Sequence, residues 1–163
     1  KPSQIMFGGS QERTFRPGTE STPLIAAFGK ACELAVQRMA EQMRIAELRD
    51  LFEAEVLRRI ENCEINGAGR ERTAGTSNIH FKGVVGDMLV INLDLAGLSA
   101  SGGAACSAAD LKPSHVLVHM GRTEDEARSS ARFSLGRETT REEVLKAVEI
   151  VENTIKDMRD LIW

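Results

Sequence analysis

The amino-acid sequence predicts an α+β fold, in which a small, mainly antiparallel sheet is covered by helices. Segments whose apolar residues recur at helical spacing are mixed with short segments in which apolar and polar residues alternate, as in strands. The two kinds of segment follow each other irregularly, without the repeated strand–helix–strand order of a parallel sheet. We find no internal repeats and no low-complexity tracts, so a small layered fold is the expectation.

The first third of the chain is predicted to be a loop followed by a long helix. Residues 1–19 are rich in glycine, proline and polar residues, which is typical of a loop or a short strand. Ser21 or Thr22 would cap the helix, and a proline stands in its first turn. Apolar residues keep helical spacing to about Ile60, so we predict one long helix, with a kink or break as the alternative. Cys32 lies in this apolar stripe and is expected to pack in the core.

The remaining elements are shorter. The predicted strands are Cys63 to Asn66, Gly75 to Phe81, Leu98 to Ser101 and Ala131 to Leu135. The predicted helices run from Met88 to Ala96 with Gly97 at the end, from Pro113 to Met120, from Thr123 onward, and from Thr140 to the C-terminal region. Thr140 and Glu143 form a capping box, and the apolar stripe of the last helix is expected to include Leu161.

Composition narrows the classes of function. The chain has 163 residues, 42% hydrophobic and 28% charged, which is the size and balance of one globular domain. A formal net charge of −3 gives no field that would gather nucleic acid, and no apolar run approaches the roughly 20 residues that span a membrane. Cys32, Cys63 and Cys106 are odd in number and lack metal-ligand spacing, which favours a reducing compartment, the cytoplasm by default.

Cys106 is the strongest candidate for a catalytic residue. It ends a run of very small residues, Ser101-Gly102-Gly103-Ala104-Ala105-Cys106-Ser107. Glycine and alanine leave a backbone many accessible conformations, so a thiol on this segment could approach a reactive centre and withdraw. The thiolate is the nucleophilic form, and an ordinary cysteine pKa near about 8.5 leaves some thiolate at neutral pH. The alternative is that Cys106 is a buried small hydrophobic residue.

Two further residues have side chains suited to binding anions. Arg132 stands between apolar neighbours on a predicted strand, where a guanidinium needs an anionic partner or water. Its planar fork can bind a carboxylate through two parallel hydrogen bonds, although a structural ion pair is the alternative. Thr19 follows Gly18, and such a pair presents a backbone N–H and a hydroxyl together to an anion. A plain turn is the alternative there.

Three blocks of the sequence resemble pyridoxal-phosphate-dependent cysteine desulfurases of the iron–sulfur-cluster and nitrogen-fixation type, which are class V aminotransferases. The blocks are residues 7–20 (FGGSQERTFRPGTE), residues 101–107 (SGGAACS) with the following Pro113-Ser114-His115, and residues 129–137 (SSARFSLGR). The family's cysteine loop reads roughly Ser-Ser-Gly-Ser-Ala-Cys-Ser. This chain has Gly102 and Ala104 where serines are usual, and Thr14 where the family often has glycine. The similarity extends from about residue 5 to beyond residue 151.

The resemblance implies a reaction and assigns the residues roles in it. The Cys106 thiolate would take the sulfur of L-cysteine as a persulfide, and L-alanine would be released, for iron–sulfur cluster or thio-cofactor assembly. Arg132 would hold the substrate α-carboxylate. Asn78 would border the substrate site, with hydrogen bonding inside the sheet as the alternative. Thr19 would reach the cofactor phosphate of the other subunit of a homodimer. A sulfur-accepting scaffold or relay protein is the further partner implied, and no general base is identified, because His115 is expected to cap or pack.

The resemblance also implies a domain arrangement. The chain would be the small C-terminal domain of a fold-type I enzyme, with the long helix as the link to the large domain. We expect residues 1–21 to belong with the large domain and the dimer interface, and residues 22–163 to form the small domain. The family's Schiff-base lysine precedes the Gly-Gly block, so we expect it outside this chain and expect the chain alone to be inactive. Two alternatives remain open: a selenocysteine lyase, and a non-catalytic interaction module derived from the same fold.

Overall fold

The computed structural model describes residues 3–102 and 113–161. Cys106 therefore lies outside the described residues. The chain divides into two compact units, Lys1–Met39 and Ala40–Trp163, which we describe separately.

The first unit consists of a loop and one helix. The loop is the element that the glycine and proline content predicts, and it contains a short 3₁₀ turn at Gln11–Thr14. Thr14 has a φ of +73°, a left-handed conformation that favours glycine, the residue frequent at this position in the family it resembles. Helix α1 is Thr22–Gln37, with Ser21 at the N-cap and a proline in the first turn. No residue of α1 is buried, so the prediction that Cys32 packs in a core is wrong: its side chain is exposed.

The predicted single helix to Ile60 is also wrong, and the alternative of a break is correct. Helix α1 ends at Gln37, and helix α2 begins the second unit at Glu41–Arg59. At the end of α1 the Met39 N–H bonds the Val36 carbonyl three residues back, instead of the carbonyl four residues back. No proline or glycine marks this point in the sequence. A shift in hydrogen bonding of this kind leaves the apolar spacing nearly intact, which is why the sequence pattern continued across it.

The second unit is a three-stranded antiparallel sheet with helices, which confirms the predicted α+β class. The strands are β1 (Cys63–Ile65), β2 (Thr76–Phe81) and β3 (Ser130–Ser134), in the order β1-β2-β3. The helices after α2 are α3 (Gly86–Leu95), α4 (His115–His119), α5 (Glu124–Arg128) and α6 (Arg141–Asp160). The segment from Leu98 to Ser101 is not the predicted strand. Only Ser101 pairs with the sheet, through one antiparallel bridge to Arg132.

The core lies between one face of this sheet and helices α2, α3 and α6. Ile79 and Phe81 from β2 point into it, together with Ala131 and Phe133 from β3. The ring of Phe52 on α2 packs against that of Phe133 at a centroid distance of 4.9 Å. The inward stripe of α6 is Val144, Val148, Val151, Thr154, Ile155 and Met158. Leu161 does not continue it and is 86% exposed, because it lies at the helix C-cap and not in a packed turn.

Helix ends follow the sequence signals. Thr140 and Glu143 form the predicted capping box of α6, and Thr123 and Glu126 form a second one at the start of α5. Such boxes satisfy backbone N–H groups that a helix leaves without partners. Helix α3 is followed by Gly97 with a φ of +89°, the left-handed conformation expected after a helix end. Within residues 3–102 and 113–161, no helix combines the length and the apolar character needed to cross a membrane.

Candidate functional site

The candidate site lies on the face of the sheet opposite the core. Because successive strand residues point to opposite faces, burying Ile79 and Phe81 directs Asn78 to the other face. Arg132 is the register partner of Asn78 across β2 and β3. Directly opposite residues of an antiparallel pair share a face, with their Cβ atoms about 5 Å apart. Asn78 and Arg132 are both half-buried. The fold therefore brings together two of the residues singled out from the sequence.

The guanidinium of Arg132 is not neutralised by any of the residues in the described ranges 3–102 and 113–161. Among the residues that the structure describes, its side chain has no hydrogen-bond or ion-pair partner. Its backbone is held firmly: the Arg132 N–H donates to the Ser101 carbonyl at 2.7 Å, and the Ser101 N–H donates to the Arg132 carbonyl at 3.0 Å. Ser101 begins the small-residue segment that contains Cys106. Ser101, at the start of that segment, is thus hydrogen-bonded to a residue whose half-buried guanidinium has no partner in the described part of the chain.

Asn78 belongs to a polar network on this face. Its Oδ1 accepts a hydrogen bond from Asn66 Nδ2 at 2.6 Å, and the Asn66 Oδ1 accepts one from Arg122 Nε at 2.6 Å. Asn66 Nδ2 also lies 3.2 Å from Ser130 Oγ. Arg122 in turn forms an ion pair with Glu64 at 2.8 Å. The sequence analysis missed Asn66 and Arg122, since they are far apart in the chain and neither stands in a recognisable motif.

One carboxylate beside this network, that of Glu126, has a lowered pKa. Hydrogen bonds from Thr123, the backbone N–H first, hold the pKa of Glu126 below its usual value, and Arg122 contributes by its charge. Glu126 Oε1 lies 3.8 Å from Arg122 Nη1. Arg122 therefore remains a partnered cation, and its Nε–H stays available to Asn66.

An open cleft of about 250 Å³ adjoins Asn78 and is lined by Asn66, Arg72, Thr73, Thr76 and Asn78. Arg72 is not free to bind a ligand there, because its guanidinium is bonded to the buried Glu53 carboxylate through two contacts of 2.7 and 2.9 Å. Both contacts are charge-assisted, so the pair holds the Arg72 side chain in place. Asn78 lines this cleft, and Arg132 stands directly opposite it on the same face of the sheet.

The histidines do not supply an evident base. His115 is the first residue of α4 and is exposed, and its ring packs edge-on against that of His119. The cap position belongs to Ser114, so of the two expected roles, capping and packing, the contact with His119 is the one observed. His80 is buried, and its Nδ1 lies 3.1 Å from Ser129 Oγ. All three histidines have structural contacts: His80 with Ser129, and His115 and His119 with each other.

The other cysteines have contrasting settings. Cys32 is exposed on α1. Cys63 is half-buried at the start of β1, and its thiol donates to the Ile60 carbonyl at 3.0 Å. Burial is the main cause that raises the pKa of the Cys63 thiol, so less of it is thiolate at neutral pH. Cys63 is therefore poorly suited to nucleophilic attack.

Thr19 is exposed and belongs to the first unit, whereas Arg132 and Asn78 belong to the second unit.

Comparison with known proteins identifies the family. The sequence pattern of the class-V aminotransferases matches residues 5–146, which is most of the chain. The chain belongs to the class-V aminotransferase family. A cysteine desulfurase IscS of Ehrlichia chaffeensis is 39% identical over 98% of this chain and 39% of its own length. Among solved structures, a NifS-like protein from Rickettsia africae matches with a TM-score of 0.75 and 28% identity, over 97% of this chain and 40% of that one. A structure of SspA in complex with cysteine matches with a TM-score of 0.54 and 28% identity, over 85% and 37%.

These matches confirm the resemblance to cysteine desulfurases and the fold predicted from it. The chain spans about 40% of the length of the relatives it matches. Class-V membership implies pyridoxal phosphate as cofactor, and the described residues fit it in part. The exposed Thr19 hydroxyl and the unpaired Arg132 guanidinium suit anionic groups. The described lysines, Lys30, Lys82, Lys146 and Lys156, are all exposed, unlike a desolvated Schiff-base lysine.

Proposed function

We propose that the full-length protein containing this chain is a pyridoxal-phosphate-dependent cysteine desulfurase. The observation that carries the proposal is Arg132, whose guanidinium is unpaired among the described residues and whose backbone is bonded to Ser101 at the start of the Cys106 segment. This arrangement would place a carboxylate anchor next to the chain that delivers a thiol. The relatives named cysteine desulfurase, and the SspA structure with bound cysteine, support the same substrate.

Arg132 would bind the α-carboxylate of L-cysteine and fix its orientation. A guanidinium offers two parallel N–H groups to a carboxylate, so the position of the amino acid is set as well as its charge balanced. Asn78, directly opposite on β2, would border the same group. Half-burial of both side chains reduces competition from water and strengthens the contact.

Cys106 would carry the group transfer. Its thiolate attacks the substrate sulfur, so a sulfur–sulfur bond forms and the carbon–sulfur bond of L-cysteine breaks. The chemistry that pyridoxal phosphate supplies when bound is an electron sink for the bonding pair left on carbon. That carbon then takes a proton and departs as L-alanine, while the persulfide stays on Cys106. A sulfur-acceptor scaffold or relay protein would remove it for iron–sulfur cluster or thio-cofactor assembly.

Thr19 would bind the cofactor phosphate of a second, identical subunit. It is exposed, follows Gly18 with its φ of +110°, and lies in the unit that does not carry Arg132. Residues 1–21 would then belong with the large domain and the dimer interface, residues 22–163 would form the small domain, and the enzyme would work in the cytoplasm. In mixed dimers, a Thr19→Ala subunit should weaken cofactor retention in its unmutated partner. Normal retention there would mean that Thr19 makes no contact across the dimer.

The proposal is tested by measuring L-alanine formed from L-cysteine by the full-length protein. We expect stoichiometric alanine and sulfide in the presence of a thiol reductant, and no sustained turnover by the Cys106→Ala variant. Selenocysteine as the competing substrate separates the desulfurase from the lyase assignment. Unchanged turnover without the Cys106 thiol would contradict the proposed reaction, and the absence of any alanine from the unmodified protein would favour a non-catalytic module.

A further inference from the structure

We propose that Asn66 is a positioning residue for the carboxylate site. It holds the Asn78 side chain so that the amide NH₂ group, and not its carbonyl, is presented beside Arg132. The inference rests on the proposed function in so far as the ligand is an amino-acid carboxylate. Asn66 is not identified by any sequence motif, and its assignment comes from the network on the polar face of the sheet.

The orientation of both amides follows from a group that can only donate. Arginine has no acceptor, so the atom of Asn66 that lies 2.6 Å from Arg122 Nε must be its carbonyl oxygen. The NH₂ of Asn66 is then left to face Asn78, and the atom it meets at 2.6 Å must be an acceptor, Oδ1. The NH₂ of Asn78 therefore points away from Asn66. The Arg122 donor therefore fixes the orientation of the Asn66 amide, and Asn66 in turn fixes that of Asn78.

The strand register places that NH₂ on the same face as Arg132. Asn66 Nδ2 contacts both Asn78 Oδ1 and Ser130 Oγ, and Ser130 is the diagonal neighbour of Asn78 on β3, so the Asn78 carbonyl faces the Ser130 end of the strand pair. Arg132 stands directly opposite Asn78, two residues from Ser130. Within the described residues, neither the Asn78 NH₂ nor the Arg132 guanidinium has a partner. Two donor groups thus lie at one cross-strand position of the same face, which suits a carboxylate with two oxygens.

The arrangement of Asn66 is well fixed. Its side chain is only 7% exposed, and its backbone N–H donates to the Asn78 carbonyl at 2.8 Å. Its NH₂ also lies 3.2 Å from Ser130 Oγ, which passes a hydrogen bond on to the Glu126 carbonyl at 2.7 Å. Arg122 is held in turn by Glu64. Because both ends of the Asn66 amide are partnered, turning the Asn78 amide over would set its NH₂ against the NH₂ of Asn66, so the observed orientation is favoured.

Replacing Asn66 by aspartate should reverse the orientation of the Asn78 amide while the protein stays folded. The carboxylate introduced by Asn66→Asp can still accept from Arg122 and gains the attraction of its charge, so the protein should remain folded. The second oxygen of that carboxylate would face Asn78, however, and would require the Asn78 amide to turn and donate to it. The Asn78 carbonyl would then be presented beside Arg132, where it would repel a ligand carboxylate and compete for the guanidinium.

The test is a titration of the full-length protein loaded with pyridoxal phosphate. The absorbance of the cofactor is followed while L-alanine, or ethylamine as its counterpart without a carboxylate, is added. For Asn66→Asp we expect the L-alanine dissociation constant to rise by about 10-fold or more, as for loss of a hydrogen bond to a charged group. The ethylamine constant should not change. Asn62→Asp, the same substitution at an exposed residue just before β1, is the matched control and should change neither.

The comparison of the two ligands separates a positioning role from a merely structural one. Equal weakening of both ligands, or no weakening of L-alanine, would overturn the inference. So would a wild-type protein that does not distinguish L-alanine from ethylamine. If Asn66→Asp fails to fold, Asn66→Ala replaces it, with a smaller loss for L-alanine alone. Failure of the proposed function has a different signature: alanine is not formed from cysteine, yet the discrimination against ethylamine persists.

Discussion

Two serines on the sheet should respond in opposite ways to the same substitution. Ser77 and Ser130 are both fully buried. Ser77 lies on the core face opposite Phe133, and its hydroxyl has no hydrogen-bond partner in the described part of the chain. Ser130 lies on the polar face, where its hydroxyl donates to the Glu126 carbonyl at 2.7 Å and lies 3.2 Å from Asn66 Nδ2. Comparing the two variants separates the effect of hydrogen bonding on stability from the effects of burial and strand propensity.

The expected changes in unfolding free energy follow from the hydrogen bonds that each hydroxyl makes or lacks. A buried hydroxyl without a partner costs about 1–3 kcal/mol of desolvation, which Ser77→Ala would recover. Removing the oxygen leaves a void of about 10 Å³, which lowers the unfolding free energy by only about 0.2 kcal/mol at 24 cal/mol per Å³. Ser77→Ala should therefore stabilise the second unit by about 1 kcal/mol or more, raising its Tm by roughly 4 °C. Ser130→Ala should destabilise it by about 1–3 kcal/mol, because the partners of its hydroxyl lose a hydrogen bond.

Urea and thermal unfolding of the 163-residue chain, followed by circular dichroism, measure both effects. The slope of the unfolding free energy against urea must be unchanged for the comparison to hold. Destabilisation by Ser77→Ala, or losses of equal size for the two variants, would refute the claim that the Ser77 hydroxyl is unsatisfied.

Three other outcomes are expected. Arg132→Ala should raise the KM of the full-length protein for L-cysteine roughly a hundredfold by removing charged hydrogen bonds, and an unchanged KM would remove its role as carboxylate anchor. Brief treatment with iodoacetamide should modify the exposed Cys32 before Cys63, whose pKa is raised by burial, as peptide mass spectrometry will show; the reverse order would contradict these settings. Arg72→Met should destabilise the chain by about 3 kcal/mol, because it leaves the buried Glu53 carboxylate without its partner, and a loss below about 1 kcal/mol would mean that the pair is not effectively buried.

Much of the second unit could be predicted from the sequence because its signals are local. The Thr140 capping box and the alternation in β2 and β3 depend on residues a few positions apart, and the structure confirms them. Burial of a helix face depends on packing against distant segments, so the local sequence pattern could not predict it. The apolar stripe of α1 predicted burial of Cys32, yet a stripe shows only that a face is apolar and not what covers it.

The candidate site was predicted in part for the same reason. Arg132 and Asn78 could be found as unusual polar residues on strands, and the family resemblance gave them roles. Their direct opposition depends on the strand register, which joins residues far apart in the chain. Asn66 and Arg122 became visible only through contacts across 12 and 56 positions of sequence. The bridge between Ser101 and Arg132 likewise replaced a predicted strand by a single pairing that no alternation pattern encodes.

The proposed reaction requires that Cys106 carries the sulfur. Trypsin should release that cysteine in one peptide, residues 83–122, because the bond after Lys112 is protected by Pro113. Cys32 and Cys63 fall in other peptides. After the full-length protein reacts with L-cysteine and is alkylated without reductant, we expect the 83–122 peptide to be heavier by one sulfur atom. An added sulfur on the Cys32 or Cys63 peptide, or on none of the three, would contradict the account.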